Sequence, residues 1–175
     1  MRDYLQDAVL EFHKTKGLAD KAMAQVSDTV FFRSLDPETN SIALVVKHLA
    51  GNMRSRWTDF ITTDGEKPDR NRDSEFLLEA ADTRAQLLAR WESGWQLVFD
   101  ALEPLRAADL DRIVTIRSEP HTVMQAINRQ LTHYAYHVGQ IVLLAKHLAA
   151  VTWMPLSIPR GKSEEWNAAA RSKHR

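Results

Sequence analysis

The stretch Thr122-Val-Met-Gln-Ala-Ile-Asn-Arg-Gln-Leu-Thr-His133-Tyr-Ala-Tyr-His137-Val-Gly-Gln-Ile-Val-Leu-Leu-Ala-Lys-His-Leu-Ala149 decides the fold class. Val123, Ile127, Leu131, Tyr134, Val138, Ile141, Val142 and Ala145 recur at helical spacing and mark one buried side. Thr122 stands where such a helix opens. At 100° per residue, His133 and His137 lie about 40° apart and border the apolar arc, so both can point into a helical core. Two imidazoles so placed can chelate one metal ion.

Working back along the chain, Ser41 can cap a second helix, in which Leu44, Val45, Leu49, Met53, Trp57 and Phe60 follow a period near 3.6. His48 lies along that stripe, and two such helices side by side would bring three histidines together. The first segment, roughly Met1 to Gln25, has Tyr4, Ala8, Leu10, Phe12, Leu18, Ala22 and Met23 at mixed helical spacings. A third, about Glu75 to Leu102, has Leu78, Ala81, Ala85, Leu88, Trp91, Trp95 and Leu102.

Prolines 37, 68, 104, 120, 155 and 159 fall between these stretches and punctuate a helical protein. In the long connection Glu103 to Thr122, Ile113-Val-Thr-Ile can be a short extended piece, and the connection can serve as the crossover of a bundle. A Pro-bounded loop around Trp153 to Ser163 leads to a short helical tail around Ser163 to Ala170. The expectation is all-α: a four-helix bundle with a long crossover connection and a C-terminal helical tail, residues 1–175 forming one domain.

Composition narrows the chemistry. Twenty-three basic and 23 acidic residues give a formal charge of zero, so no nucleic-acid or anionic-membrane footprint stands out. There is no cysteine, so thiolate metal sites, iron-sulfur clusters and cysteine nucleophiles are excluded, and a metal must be held by nitrogen and oxygen. The N-terminus has no continuous apolar region of a signal peptide, and no apolar run is long enough for a membrane span, which makes cytoplasm the expected compartment.

Spacing alone leaves two readings of the histidine pair open, a metal chelate and a pair buried for packing. Tyr134 follows His133 where a helical zinc protease has glutamate, so that class lacks its general base. No Glu-x-x-His pair supports a di-iron site, and the serine-hydrolase elbow and both glycine-rich nucleotide motifs are missing. His121, His147 and His174 read as solvated and His13 is undecided. Trp57, Trp91 and Trp95 read as core, whereas Trp153 and Trp166 are less constrained. Asn52, Gln130 and Gln140, each about one turn from a candidate histidine, either orient rings or face solvent. Arg70-Asn-Arg-Asp and the basic end Arg171-Ser-Lys-His-Arg read as solvated charge.

Three patterns, Val46-Lys-His48-Leu-Ala-Gly-Asn52-Met, Gln125 through His133-Tyr-Ala-Tyr-His137-Val-Gly-Gln140-Ile, and Leu156-Ser-Ile-Pro-Arg-Gly-Lys-Ser, together resemble the DinB/YfiT-like superfamily, over essentially the whole chain. The resemblance implies that superfamily's four-helix bundle, often dimeric. It also implies a divalent ion such as nickel or zinc on residues matching His48, His133 and His137. Characterised relatives include thiol-dependent S-transferases and isomerases that use bacillithiol or mycothiol, although no thiol-cofactor signature is recognisable here. The expected function is a metal-dependent enzyme, a transferase or hydrolase acting on a small molecule with a low-molecular-weight thiol in the transferase case. The alternative is a metal- or ligand-binding helical bundle without turnover, for example in stress response. No catalytic residue is assigned.

Overall fold

The computed structural model describes residues 3–173. The expected helix start at Met1 and the tail residue His174 lie outside the described residues. The elements run α1 (Tyr4–Met23), α2 (Asp28–Phe32), α3 (Ile42–Trp57), α4 (Arg84–Leu102), β1 (Ile113–Ile116), β2 (Glu119–Thr122), α5 (Val123–Ala149) and α6 (Ser163–Lys173). The protein is mostly helical, with one two-stranded antiparallel sheet.

Short polar side chains start the helices by accepting backbone N–H groups that have no partner within the helix. Asp3 accepts from Gln6 at 2.9 Å and Ser41 from Leu44 at 3.2 Å. Thr122 and Gln125 cap α5 reciprocally: the Thr122 hydroxyl accepts the Gln125 N–H at 3.1 Å and Gln125 Oε1 accepts the Thr122 N–H at 2.8 Å.

Among the long helices, α3 packs on α4 and α5, and α1 packs on α5 and α4. Because α4 and α5 are not principal neighbours, the chain between them must cross over, and it does so through the hairpin. Val114 and Ile116 anchor β1 in the core, so the expected extended piece at 113–116 forms. Its two-residue turn puts Arg117 (φ 56) and Ser118 (φ 63) in the left-handed region, as a twisted hairpin requires. The Asp64 carboxylate steadies the turn by accepting both N–H groups, at 2.8 and 2.7 Å.

Trp57, Trp91 and Trp95 are buried as expected, with Phe12 edge-on to Trp57 and Trp95. α3 and α4 approach closely at Gly94, where an added Cβ would lie 3.1 Å from Met53 Cβ. Tyr134 locks α5 to α3: its buried hydroxyl accepts the Trp57 Nε1–H at 2.9 Å and donates to Asn52 Oδ1 at 3.2 Å.

Three expectations change. The third helix begins at Arg84, not Glu75, because Asp82 closes a turn by accepting the Glu79 N–H at 3.0 Å and Thr83 caps Gln86 at 3.3 Å. Its buried row is therefore Leu87, Trp91, Trp95, Val98 and Leu102, while Leu78 and Ala85 are exposed. Residues Asp73–Phe76 instead form a single 3-10 turn. In α1, Leu18 faces outward, and Phe60 is buried only after α3 has ended. Among the described residues no helix is long and apolar enough to cross a membrane.

Candidate metal centre

Helix α3 carries His48 and helix α5 carries His133 and His137, one turn apart. The α3–α5 contact, fixed by the Trp57–Tyr134–Asn52 hydrogen bonds, brings all three together: one nitrogen from each lies within 4.8 Å of the others. His48 Nε2 is 3.4 Å from His133 Nε2. His48 and His137 are buried and His133 is half-buried.

On two of the three rings the nitrogen pointing away from this centre is held from behind. Glu75, on the 3-10 turn, accepts the His48 Nδ1–H at Oε2 over 2.8 Å. Arg70 grips the same carboxylate with two guanidinium N–H groups, at 2.8 and 2.9 Å, and reaches Glu66 at 3.2 Å. On the third ring, Gln140 Oε1 accepts the His137 Nδ1–H at 3.0 Å. Such partners set the tautomer and leave Nε2 free to offer its lone pair.

This support overturns one expectation and resolves others. Arg70 is not solvated charge: its side chain is only 5% exposed and it pairs with Glu75. Gln140 orients a ring, Asn52 is buried against Tyr134, and Gln130 is buried with its Oε1 unpaired. Glu75 itself escaped the sequence reading, although Gly51 signals it. A Cβ on Gly51 would lie 2.3 Å from Glu75 Oε1 and 2.8 Å from its Cδ, so a helix-interior glycine leaves the room that the carboxylate fills.

Burial and neighbouring charge favour the neutral form of the two α5 rings. Burial pulls His133 down to about 3, reinforced by the neighbouring His137 and His48 and then by Arg56 and Arg70. Burial likewise lowers His137 to about 4, with the Gln140 hydrogen bond opposing and His48 and Arg72 assisting. For Glu75, burial alone would raise the carboxyl, but hydrogen bonds from His48 and Arg70 and the Arg70 charge together hold it below its usual range.

The residues fit a divalent ion. With Nδ1 of His48 protonated toward Glu75, its Nε2 lone pair faces His133. The buried Nδ1 of His133 has no partner among the described residues. Two nitrogens bound tetrahedrally at zinc–nitrogen distances lie about 3.4 Å apart, which matches the His48–His133 separation of 3.4 Å.

The histidines open onto a cleft of about 700 Å³, also lined by Phe76, Tyr136 and five arginines. A hollow of about 930 Å³, along the Gly51 side of α3 and lined by Ser93 and Gly94 of α4, holds none of the three histidines. The other described histidines stay apart: His147 is exposed, exposed His13 stacks on Phe99 at 3.9 Å, and half-buried His121 lies beside Arg129. Trp153 is half-buried and Trp166 exposed.

No curated protein matches this chain. The model of one family, described as a protein of unknown function, DUF1572, matches residues 1–162, a span that holds all three converging histidines. The chain belongs to that family.

Proposed function

We propose that the protein is a divalent-metal-dependent enzyme of the DinB/YfiT-like type, with His48, His133 and His137 as the metal ligands. The observation that carries this reading is the convergence of three imidazoles within 4.8 Å, two of them oriented from behind by Glu75 and Gln140. In this reading α1, α3, α4 and α5 form the four-helix bundle of that superfamily, residues 1–175 make one domain, and the protein works as a cytoplasmic homodimer on a small molecule.

Nickel or zinc suits an all-imidazole ligand set. When bound, the ion would supply Lewis-acid activation of a thiol or water near neutral pH, its charge largely uncompensated by three neutral ligands. The chain's own residues do the rest. Glu75 and Gln140 fix the His48 and His137 rings, Tyr134 and Asn52 hold α5 in register with α3, and Phe76 and Tyr136 wall the cleft. A low-molecular-weight thiol is the proposed co-substrate if the reaction is an S-transfer, and water if it is a hydrolysis.

A second reading, metal or ligand binding without turnover, is favoured by one observation: no carboxylate lines the cleft among the described residues, so none is placed there as a general base. Metal analysis of protein purified without a histidine tag tests the premise. The expected result is about one ion per chain, lost in His133→Ala. No bound ion, and no uptake of added nickel or zinc, would overturn the enzyme reading and leave of the second only the binding of another ligand. Conjugation and hydrolysis assays with thiols and electrophiles then separate them, and metal-dependent turnover would exclude the second.

A further inference from the structure

Arg56, Arg70, Arg72, Arg117 and Arg129 all line the cleft in front of the three histidines, and no carboxylate does so among the described residues. The two carboxylates behind this wall do not neutralise it. Glu75 is taken up by Arg70 and His48, and Glu66 Oε2 is shared by Arg56 at 2.9 Å, Arg70 at 3.2 Å and Arg117 at 3.2 Å. Arg56 is buried, yet its Nε has no hydrogen-bond partner.

The outer arginines are freer still. Half-exposed Arg72 lies over the Phe76 ring at 4.9 Å, and among the described residues its one ion-pair partner is exposed Asp73, 3.8 Å away. Arg129 is exposed and meets His121 Nε2 at 3.3 Å, with no acidic partner among the described residues. Half-exposed Arg117 shares only its Nε with Glu66. In a chain whose formal charge is zero, such a one-signed concentration in one concavity is a local device, because low-dielectric walls focus the field of like charges.

We infer that this cleft binds a small oxyanion, a carboxylate or phosphate group of the substrate, gripped by Arg72, Arg117 and Arg129 in front of the histidines. Guanidinium presents paired N–H donors that match the two oxygens of either group. In naming a substrate class the inference rests on the metal-centre reading, but the arginine rim does not need the ion to bind an anion.

Calorimetric titration of inorganic phosphate and of malonate tests it, each against EDTA-treated and zinc-loaded protein; the two probes distinguish a phosphate from a carboxylate site. Saturable binding is expected in at least one state and should weaken as sodium chloride rises. The double variant Arg72→Gln/Arg129→Gln, which removes no buried ion pair, should lose at least about tenfold in affinity. Arg112→Gln, at a residue that pairs with Asp109 and does not line the cleft, should bind as the parent does. Absence of binding by both probes in both states overturns the inference, as does undiminished binding by the double variant. Zinc affinity measured separately against a chromophoric chelator keeps the two ideas apart. Anion binding without zinc uptake would leave the arginine site standing and the metal reading lost, and the converse would do the reverse.

Discussion

The Glu75 carboxylate stands 2.8 Å from Nδ1 of His48 and is gripped by Arg70, so a residue 27 positions further along the chain sets the tautomer of the buried imidazole. Replacing Glu75 by Gln removes the charge but keeps the shape. Metal affinity should fall by about 10- to 100-fold, the usual effect of losing such a partner. Buried Arg70 would lose its two-pronged carboxylate partner and keep only Glu66, 3.2 Å away, so stability should also fall, by about 1–3 kcal/mol. Competition with a chelator reads the first effect and urea denaturation the second.

Gly51→Ala tests the same contact from the helix side. Alanine favours a helix interior over glycine by about 0.5–1 kcal/mol, yet its Cβ would fall 2.3 Å from Glu75 Oε1 and displace the carboxylate. The expected outcome is weakened metal binding despite the better helix former. In the double variant with Glu75→Gln the losses should not add, because both act through one hydrogen bond. Additive losses in chelator titrations would show that Gly51 acts elsewhere.

Zinc should stabilise the parent protein and fail to stabilise His133→Ala. At a thousandfold excess over its dissociation constant, a ligand specific for the native state adds about 4 kcal/mol, which for a chain of this size raises Tm by about 10 °C. Without metal, His133→Ala should cost little, because it also removes a buried Nδ1 that has no partner. Differential scanning calorimetry with and without zinc measures both.

The pH dependence of stability should carry a signature of Asp82. Its side chain is 1% exposed and its carboxylate accepts Lys47 Nζ–H at 2.7 Å, the Glu79 N–H at 3.0 Å and an Arg90 N–H at 3.0 Å. Burial by itself would raise the carboxyl, but these partners outweigh it and hold it below its ordinary 3.8. With the folded value depressed, the contribution is fully present above the unfolded value and is lost as pH falls through the folded one. Asp82→Asn should therefore cost about 3–5 kcal/mol at neutral pH by leaving the buried Lys47 ammonium, still bonded to the Leu77 carbonyl, without a counter-charge. The gap to the parent should narrow below about pH 4. Urea melts at several pH values check this; a gap independent of pH would exclude the ion pair as its cause.

Much of the fold was legible locally. Ser41, Thr122 and the apolar rows of α3 and α5 announced their helices because capping and periodicity act within a few residues. The start of α4 was not, because Leu78, Ala81 and Ala85 continue a helical spacing that the Asp82 turn and Thr83 cap interrupt. Arg70 looked like solvated charge because nothing adjacent in sequence shows that Glu75 and Glu66 will enclose it.

By itself the sequence determined that helices would dominate, that no thiolate could hold a metal, and that His133 and His137 share a helix face, since composition and period belong to the chain alone. Tertiary structure decided that His48 would meet them, that Glu75 would stand behind it, and that five arginines from distant segments would converge on one cleft. Those relationships depend on how α3 and α5 are locked through Tyr134 and on where the 58–83 connection folds back. Packing between segments far apart in sequence sets both, and no local pattern encodes it.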